Sequence, residues 1–235
     1  MVRLSALQSD LLKYIIENGY KPGDLLPTIQ EISQSMGVSV AKTRESLEIA
    51  RVLGIVEVKP GRGTRVSSYR FTPAMTLSAL YAVGQDPAHF EHMRQMRNAL
   101  ESAFWDEAVR RLTEQEIATL RKLIGAARRL LSREPAQVPA AEHRAFHLTI
   151  FGRLDNPFVL GVLESFWDIY EAFGMNVYME LDYHRKVWDY HERIVDAIEK
   201  GDIEAGRSLL VEHMSLLQHR AVPQPASESR PAMFE

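Results

Sequence analysis

The chain has 235 residues, 46% of them hydrophobic and 25% charged, which suits one large or two modest globular domains and excludes a disordered chain. It contains no cysteine, so a disulfide framework and any thiolate zinc site are excluded, and a transition-metal site has to be built from His, Asp and Glu. The net charge of −3 is unevenly placed: residues 1–70 hold ten Lys/Arg against seven Asp/Glu, residues 71–235 eighteen against twenty-four, a basic head on an acidic body that fits a head meeting a polyanion.

The first run, MVRLSALQSDLLKYII, is interrupted by Gln8, Ser9, Asp10 and Lys13 and does not read as a signal peptide. No apolar run approaches membrane-spanning length, so a cytoplasmic location without a membrane partner is expected. Leu4, Leu7, Leu11 and Ile15 follow helical spacing up to Asn18-Gly19, and YKPGDLLP is turn chemistry. Thr28 to Glu31, TIQE, is a capping box that opens a second helix, which Gly37 ends. Ser39 is an N-cap for a third helix, VAKTRESLEIARVL, with a buried stripe of Thr43, Leu47, Ala50 and Leu53. The period then changes to alternation: GIVEVKPGRGTRVSS reads as strand, tight turn, strand. Three helices and a hairpin over residues 1–70 make a winged helix-turn-helix.

In such a head the third helix enters the major groove with its first turn on base edges. Ser39, Lys42 and Arg44 stand there; Lys42 and Arg44 can reach phosphate or guanine, and Ser39 with the helix N-terminus suits a phosphate. Arg62 and Arg65 on the hairpin are placed for phosphate or minor-groove contact. Thr28, Gln30 and Thr64 complete the set assigned to DNA. Any one of these cations could simply be a solvated side chain; cap, turn, helix and Arg-tipped hairpin in order point to DNA. The segments KPGDLLP, MGVS, TRESL and LGIVEVKPGRGTRV resemble the GntR family of bacterial regulators. Where that family has an arginine before the second helix and a basic residue after VS, this chain has Gln30 and Val40, so no known half-site is carried over.

Residues 71–84 read as a linker or first helix, and residues 85–220 as an all-α bundle for effector binding and dimerisation. Asp86-Pro87 is a helix start, Thr113 to Glu116 a second capping box, SREPAQVPAA a loop. Asp155 to Pro157 starts a further helix, a break falls near Met179, Gly201 stops the next helix and Asp202 caps the last. Residues 221–235, polar and Pro-rich, read as a disordered tail. The fold class is thus mainly α, a winged helix-turn-helix followed by a helical bundle.

His143 and His147 share a helical face with Phe146, Ile150 and Leu154; His191 shares one with Val187, Ile194, Val195 and Ile198; His213 lies among Leu209, Leu210, Leu216 and Leu217. One histidine on a core face is an ordinary satisfied residue, whereas four on three faces suit Zn²⁺ or Ni²⁺. Arg97 and Glu101 lie on the stripe of Phe90, Met93, Phe104 and Ala108, either as an internal salt bridge or with the Arg forking onto a bound carboxylate. His184, one heptad before His191, can border such a pocket; His89, His92 and His219 read as surface residues.

The body resembles the FCD effector domain of the FadR subfamily, through RNALE (Arg97 to Glu101), Phe146-His147, DNP, and HERIVDAIEKGDIEAGRSLLVEHM (His191 to Met214). That resemblance implies a divalent metal held by one Asp and three His, beside which small carboxylates or sugar acids bind. The three histidines fall on His147, His191 and His213; the aspartate's position falls on His143, and Glu142 faces about 100° away. Either four imidazoles keep the metal or they bind an anionic effector directly. The whole chain reads as a homodimeric DNA-binding repressor of a pseudo-palindromic operator, controlled by Arg97, Glu101 and His184 around the effector. Alternatives are a sensor whose signal is the ion itself, a metal-dependent hydrolase with an accessory head, which lacks any HExxH sequence, and a fatty acyl-CoA responder, which the histidines oppose.

Overall fold

The computed structural model describes residues 4–173 and 181–216. The Met179 break, Leu217, His219 and the 221–235 tail lie outside them. The chain divides into two compact units, one of Met1–Ser78 with Asp155–Ser165, the other of Ala79–Leu154 with Phe166–Glu235.

The first unit begins with α1 (Asp10–Glu17), α2 (Ile29–Met36) and α3 (Val40–Val52). Each start is set by a side-chain oxygen taking a free backbone N–H: Ser9 from Leu12, Thr28 from Glu31 and Ser39 from Lys42. Thr28 and Glu31 form the reciprocal capping box. Gly37, at φ 66°, ends α2 in the left-handed conformation that glycine adopts without steric cost. Strands β1 (Val56–Lys59) and β2 (Gly63–Val66) pair antiparallel with Val56 opposite Val66. Leu11, Ile15, Leu26, Ile32, Leu47, Ala50, Val56 and Val66 form the core of this unit. The expected stripe of α3 is buried at Thr43, Leu47 and Ala50, while Leu53 is half-buried at the helix end.

The later helices are α4 (Thr72–Gln85), α5 (Ala88–Arg110), α6 (Glu114–Leu131), α7 (Ala140–Phe151), α8 (Pro157–Ala172), α9 (Leu181–Glu199) and α10 (Ile203–Ser215). Pro87 is the N-cap residue of α5 and not its first helical residue; Asp86 still caps the start, its Oδ1 accepting from Ala88 N at 2.9 Å. Thr113 and Glu116 close the second capping box, and Asn156 Oδ1 accepts from Phe158 N and Val159 N at 3.1 Å to open α8. Asp202 caps α10 through Ala205 N.

Within the second unit α9 packs on α6 and α10, and α7 on α5 and α6. The buried stripe of α5 runs Phe90, Met93, Arg97, Glu101, Trp105, Ala108; the fully buried aromatic is Trp105, with Phe104 half-buried. Steps of four from Arg97 keep Trp105 on that face. Trp105 Nε1 donates to the Ile203 carbonyl at 2.8 Å, and a Cβ on Gly206 would come within 2.7 Å of its ring. Glycine there lets α10 close onto α5, which brings the C-terminal half of α10 toward Glu101.

Candidate functional site

On the head, the first turn of α3 exposes Lys42 and Arg44, and the hairpin exposes Arg62 and Arg65. Arg44 and Arg62 make no ion pair among the described residues, so their charges stay available. Lys42 Nζ lies 3.6 Å from Glu45, a weak exposed pair that a phosphate would outcompete. Arg65 is held back: its Nη1 donates to the Gly23 carbonyl at 2.8 Å, tying the hairpin to the turn that precedes α2. Ser39 and Thr28 spend their hydroxyls on caps, Gln30 is exposed in the first turn of α2, and Thr64 is half-buried in β2. The exposed first turn of a capped helix, with Arg on it and on the adjoining hairpin, is the surface a winged head lays on DNA.

In the second unit, α7 supplies His143 and His147, α9 supplies His191 and α10 supplies His213. All four are buried, at 6%, 0%, 0% and 1% exposure, and one ring nitrogen of each lies within 4.8 Å of the others. The i,i+4 spacing puts the two α7 rings on one face, their centroids 5.2 Å apart. His191 Nε2 stands 3.3 Å from His213 Nε2. Aromatic walls hold the rings: Phe146 stacks on His191 at 4.1 Å, and Trp167 meets His143 at 4.8 Å and His147 at 5.3 Å.

Burial pushes all four imidazoles well below their ordinary pKa, and the Arg97 charge pushes each of them the same way, with Glu101 opposing at His213. They are therefore neutral, the form that binds a metal. His143 Nε2, His191 Nδ1 and His213 Nδ1 are buried without a hydrogen-bond partner. A cation on the facing Nε2 atoms of His191 and His213 would replace their weak mutual contact, and the unpartnered His143 Nε2 is free to join it. The donor set suits a borderline divalent cation: His191 Nε2 and His213 Nε2 are 3.3 Å apart, close to the about 3.3–3.4 Å between ligands of a tetrahedral site, and all four nitrogens lie within 4.8 Å of one another. His143, His147, His191 and His213 could thus hold a metal ion.

Arg97 and Glu101, 1% and 0% exposed, adjoin this cluster. Arg97 Nε donates to Glu101 Oε1 at 2.8 Å, its Nη2 lies 2.9 and 3.1 Å from the two nitrogens of His147, and Glu101 Oε2 lies 3.1 Å from His147 Nδ1. Burial raises the Glu101 pKa, with Arg97 opposing it. A carboxylate on a histidine's outer nitrogen fixes the tautomer whose other nitrogen faces a metal. His184 is buried, but it is outside the four-histidine group. His89 and His92 are exposed, as expected of surface residues.

Trp167 was not singled out by sequence reasoning, because ESFWDIY reads as a plain core stripe. Its ring borders His143 and His147, lies 5.3 Å from the Arg97 guanidinium, and also lines an open cleft of about 770 Å³ with Tyr170, Arg144 and Leu148. Burial pushes the Tyr170 hydroxyl up to about 12, so it stays a proton donor. Arg144 pairs with Asp168 at 2.8 Å.

Residues 5–66 match the family described as bacterial regulatory proteins, gntR family, and residues 92–216 match the FCD domain. The chain is 30% identical over 212 residues to the Uxu operon regulator of Haemophilus influenzae, covering 87% of this chain and 76% of that protein. It is 28% identical over 211 residues to the Uxu operon transcriptional regulator of Escherichia coli, covering 88% and 81%. Among solved structures, a GntR protein of Streptococcus agalactiae shares the fold with a TM-score of 0.61 at 20% identity, over 88% of this chain and 95% of that one. No described helix is long and apolar enough to cross a membrane. With both domain matches and these relatives agreeing, the chain belongs to the GntR family, joins its helix-turn-helix head to an FCD domain, and is a DNA-binding transcriptional regulator and not an enzyme.

Proposed function

We propose that the protein is a cytoplasmic, homodimeric repressor whose paired heads bind a pseudo-palindromic operator and whose FCD domain binds a small carboxylate or sugar acid beside a divalent ion. The observation that carries this reading is the convergence of four buried, neutral imidazoles from three helices next to a buried arginine. His143, His147, His191 and His213 would hold the ion, with Zn²⁺ or Ni²⁺ suited to all-nitrogen ligands. When bound, the ion would supply an electrophilic anchor for an acid's oxygen.

Arg97 orients the acid through charge-assisted hydrogen bonds, and Glu101 keeps Arg97 and the His147 ring aligned. His184 borders the pocket, and the cleft lined by Trp167 and Tyr170 is the approach from solvent. On the head, Lys42, Arg44 and Arg62 contact DNA, with Ser39, Thr28, Gln30, Thr64 and Arg65 at its margin. The acid acts by binding the DNA-competent and DNA-incompetent dimers unequally, since equal affinity shifts nothing.

The test is operator binding by fluorescence anisotropy at fixed metal, with a panel of small organic and sugar acids. A panel member that weakens operator binding at least tenfold, and fails to do so in Arg97→Ala, supports the reading. Operator affinity that follows added metal and ignores every acid contradicts it, and points to the ion as the signal.

A further inference from the structure

The donor set contains no anion. Among the described residues the mutually close ligand atoms are four imidazole nitrogens, and no carboxylate oxygen joins them. Glu101, the nearby carboxylate, is engaged by Arg97 and by His147 Nδ1. Arg97 and Glu101 cancel each other, as Arg144 and Asp168 do at 2.8 Å. His184, facing the same region from α9, is kept uncharged by burial. A divalent ion on the four rings would bring two positive charges that no carboxylate among the described residues offsets, inside walls of Phe146, Trp167 and Trp188. Uncompensated charge in such surroundings is costly, and the remaining source of compensation is the ligand.

We propose that the quartet takes a small acid with two negative charges, a dicarboxylate or sugar diacid, in preference to the monoacid of the same skeleton. This rests on the metal-and-acid reading above and names its ligand class. The second carboxylate also has a partner. With His147 Nδ1–H given to Glu101, the acceptor left for Arg97 Nη2 among the described residues is His147 Nε2, at 3.1 Å, which a bound ion would take; a carboxylate is a stronger acceptor for it. The ion and Arg97 thus make two cationic anchors. The same charge balance makes ion and diacid bind cooperatively, each tightening the other by the same factor.

The experiment is calorimetric titration of the nickel-loaded full chain with two matched pairs, glucarate against glucuronate and succinate against butyrate. In any pair that binds, the diacid is at least tenfold tighter, and it slows nickel loss to a competing chelator at least tenfold. His143→Asp installs an anionic ligand and brings the diacid preference to threefold or less. A monoacid that binds the nickel-loaded wild type as tightly as its diacid overturns the proposal while leaving the metal-and-acid reading intact. Failure of every acid to bind overturns both. Should His143→Asp not fold or not hold nickel, the wild-type ratio decides alone.

Discussion

His191 Nε2 and His213 Nε2 stand 3.3 Å apart on adjoining helices, both rings buried, and the other nitrogen of each has no hydrogen-bond partner. Two neutral imidazoles gain at most one ordinary hydrogen bond from each other, about 1 kcal/mol net. That is a poor return for two desolvated rings, and a shared cation accounts for the arrangement better. Metal at about a hundred times its dissociation constant should therefore raise the unfolding free energy by about 2.7 kcal/mol. His191→Ala or His213→Ala should remove most of that gain. A thermal midpoint that stays put when Ni²⁺ or Zn²⁺ is added to the wild type would mark the quartet as plain core.

The metal-free protein should lose stability on mild acidification. Each of the four imidazoles has its folded pKa lowered by burial, while in the unfolded chain it takes a proton near about 6.5. Below that pH the unfolded state binds more protons, so stability is full at higher pH and falls as pH drops, by up to about 1.4 kcal/mol per unit for each ring. Glu101, raised by burial, works the other way, but it is one group against four. Chemical denaturation of the chelated protein from pH 8 to pH 5 reads the slope; a flat profile contradicts the buried neutral state.

Removing Arg97 alone leaves Glu101 buried with its main partner gone. Arg97→Met should cost roughly 3–5 kcal/mol, the range for breaking a buried pair from one side. Arg97→Met with Glu101→Leu should recover most of it, because the two charges leave together. The double variant should nonetheless fail to respond to acids, which separates the structural role of the pair from binding. An acid response as strong as wild type in the refolded double variant would remove Arg97 from the effector site.

On the head, Arg44→Ala should weaken operator binding by about 1–3 kcal/mol and relax preference at one base position, if it reads a guanine edge. Arg62→Ala should weaken binding to all sequences alike and lower the salt slope by about one. Arg65→Ala should show itself mainly in head stability, since its Nη1 is spent on Gly23. Anisotropy titrations at several salt concentrations distinguish these three patterns.

Gly206→Ala adds a methyl group 2.7 Å from the Trp105 ring, which is itself fully buried and cannot step aside. The expected cost is about 1–3 kcal/mol of overpacking, with weaker metal retention because α10 carries His213. Unchanged stability and metal content would mean that α10 is not seated through this contact.

Much of this was legible in the residues because local rules and packing agree. Thr28/Glu31 and Thr113/Glu116 are capping boxes on paper and in space, and the histidines predicted on three core faces do converge. The choice of Phe104 over Trp105 on the α5 stripe failed because two adjacent aromatics both fit a loose helical period, and only the approach of Gly206 decides which is enclosed. Trp167 was invisible as a site wall for a related reason: its importance comes from what α7 and α5 bring against it, which no spacing within α8 reveals. The tie from Arg65 to Gly23 spans 42 residues and likewise has no local signature.

The most direct test of the account is the metal-to-chain ratio of the purified protein, measured by elemental analysis after dialysis against limiting Ni²⁺ or Zn²⁺. About one ion per chain is expected for the wild type, with a near-complete loss in His191→Ala and His213→Ala, both still folded. A folded wild type that retains no ion, or a His213→Ala variant that retains a full one, would contradict it.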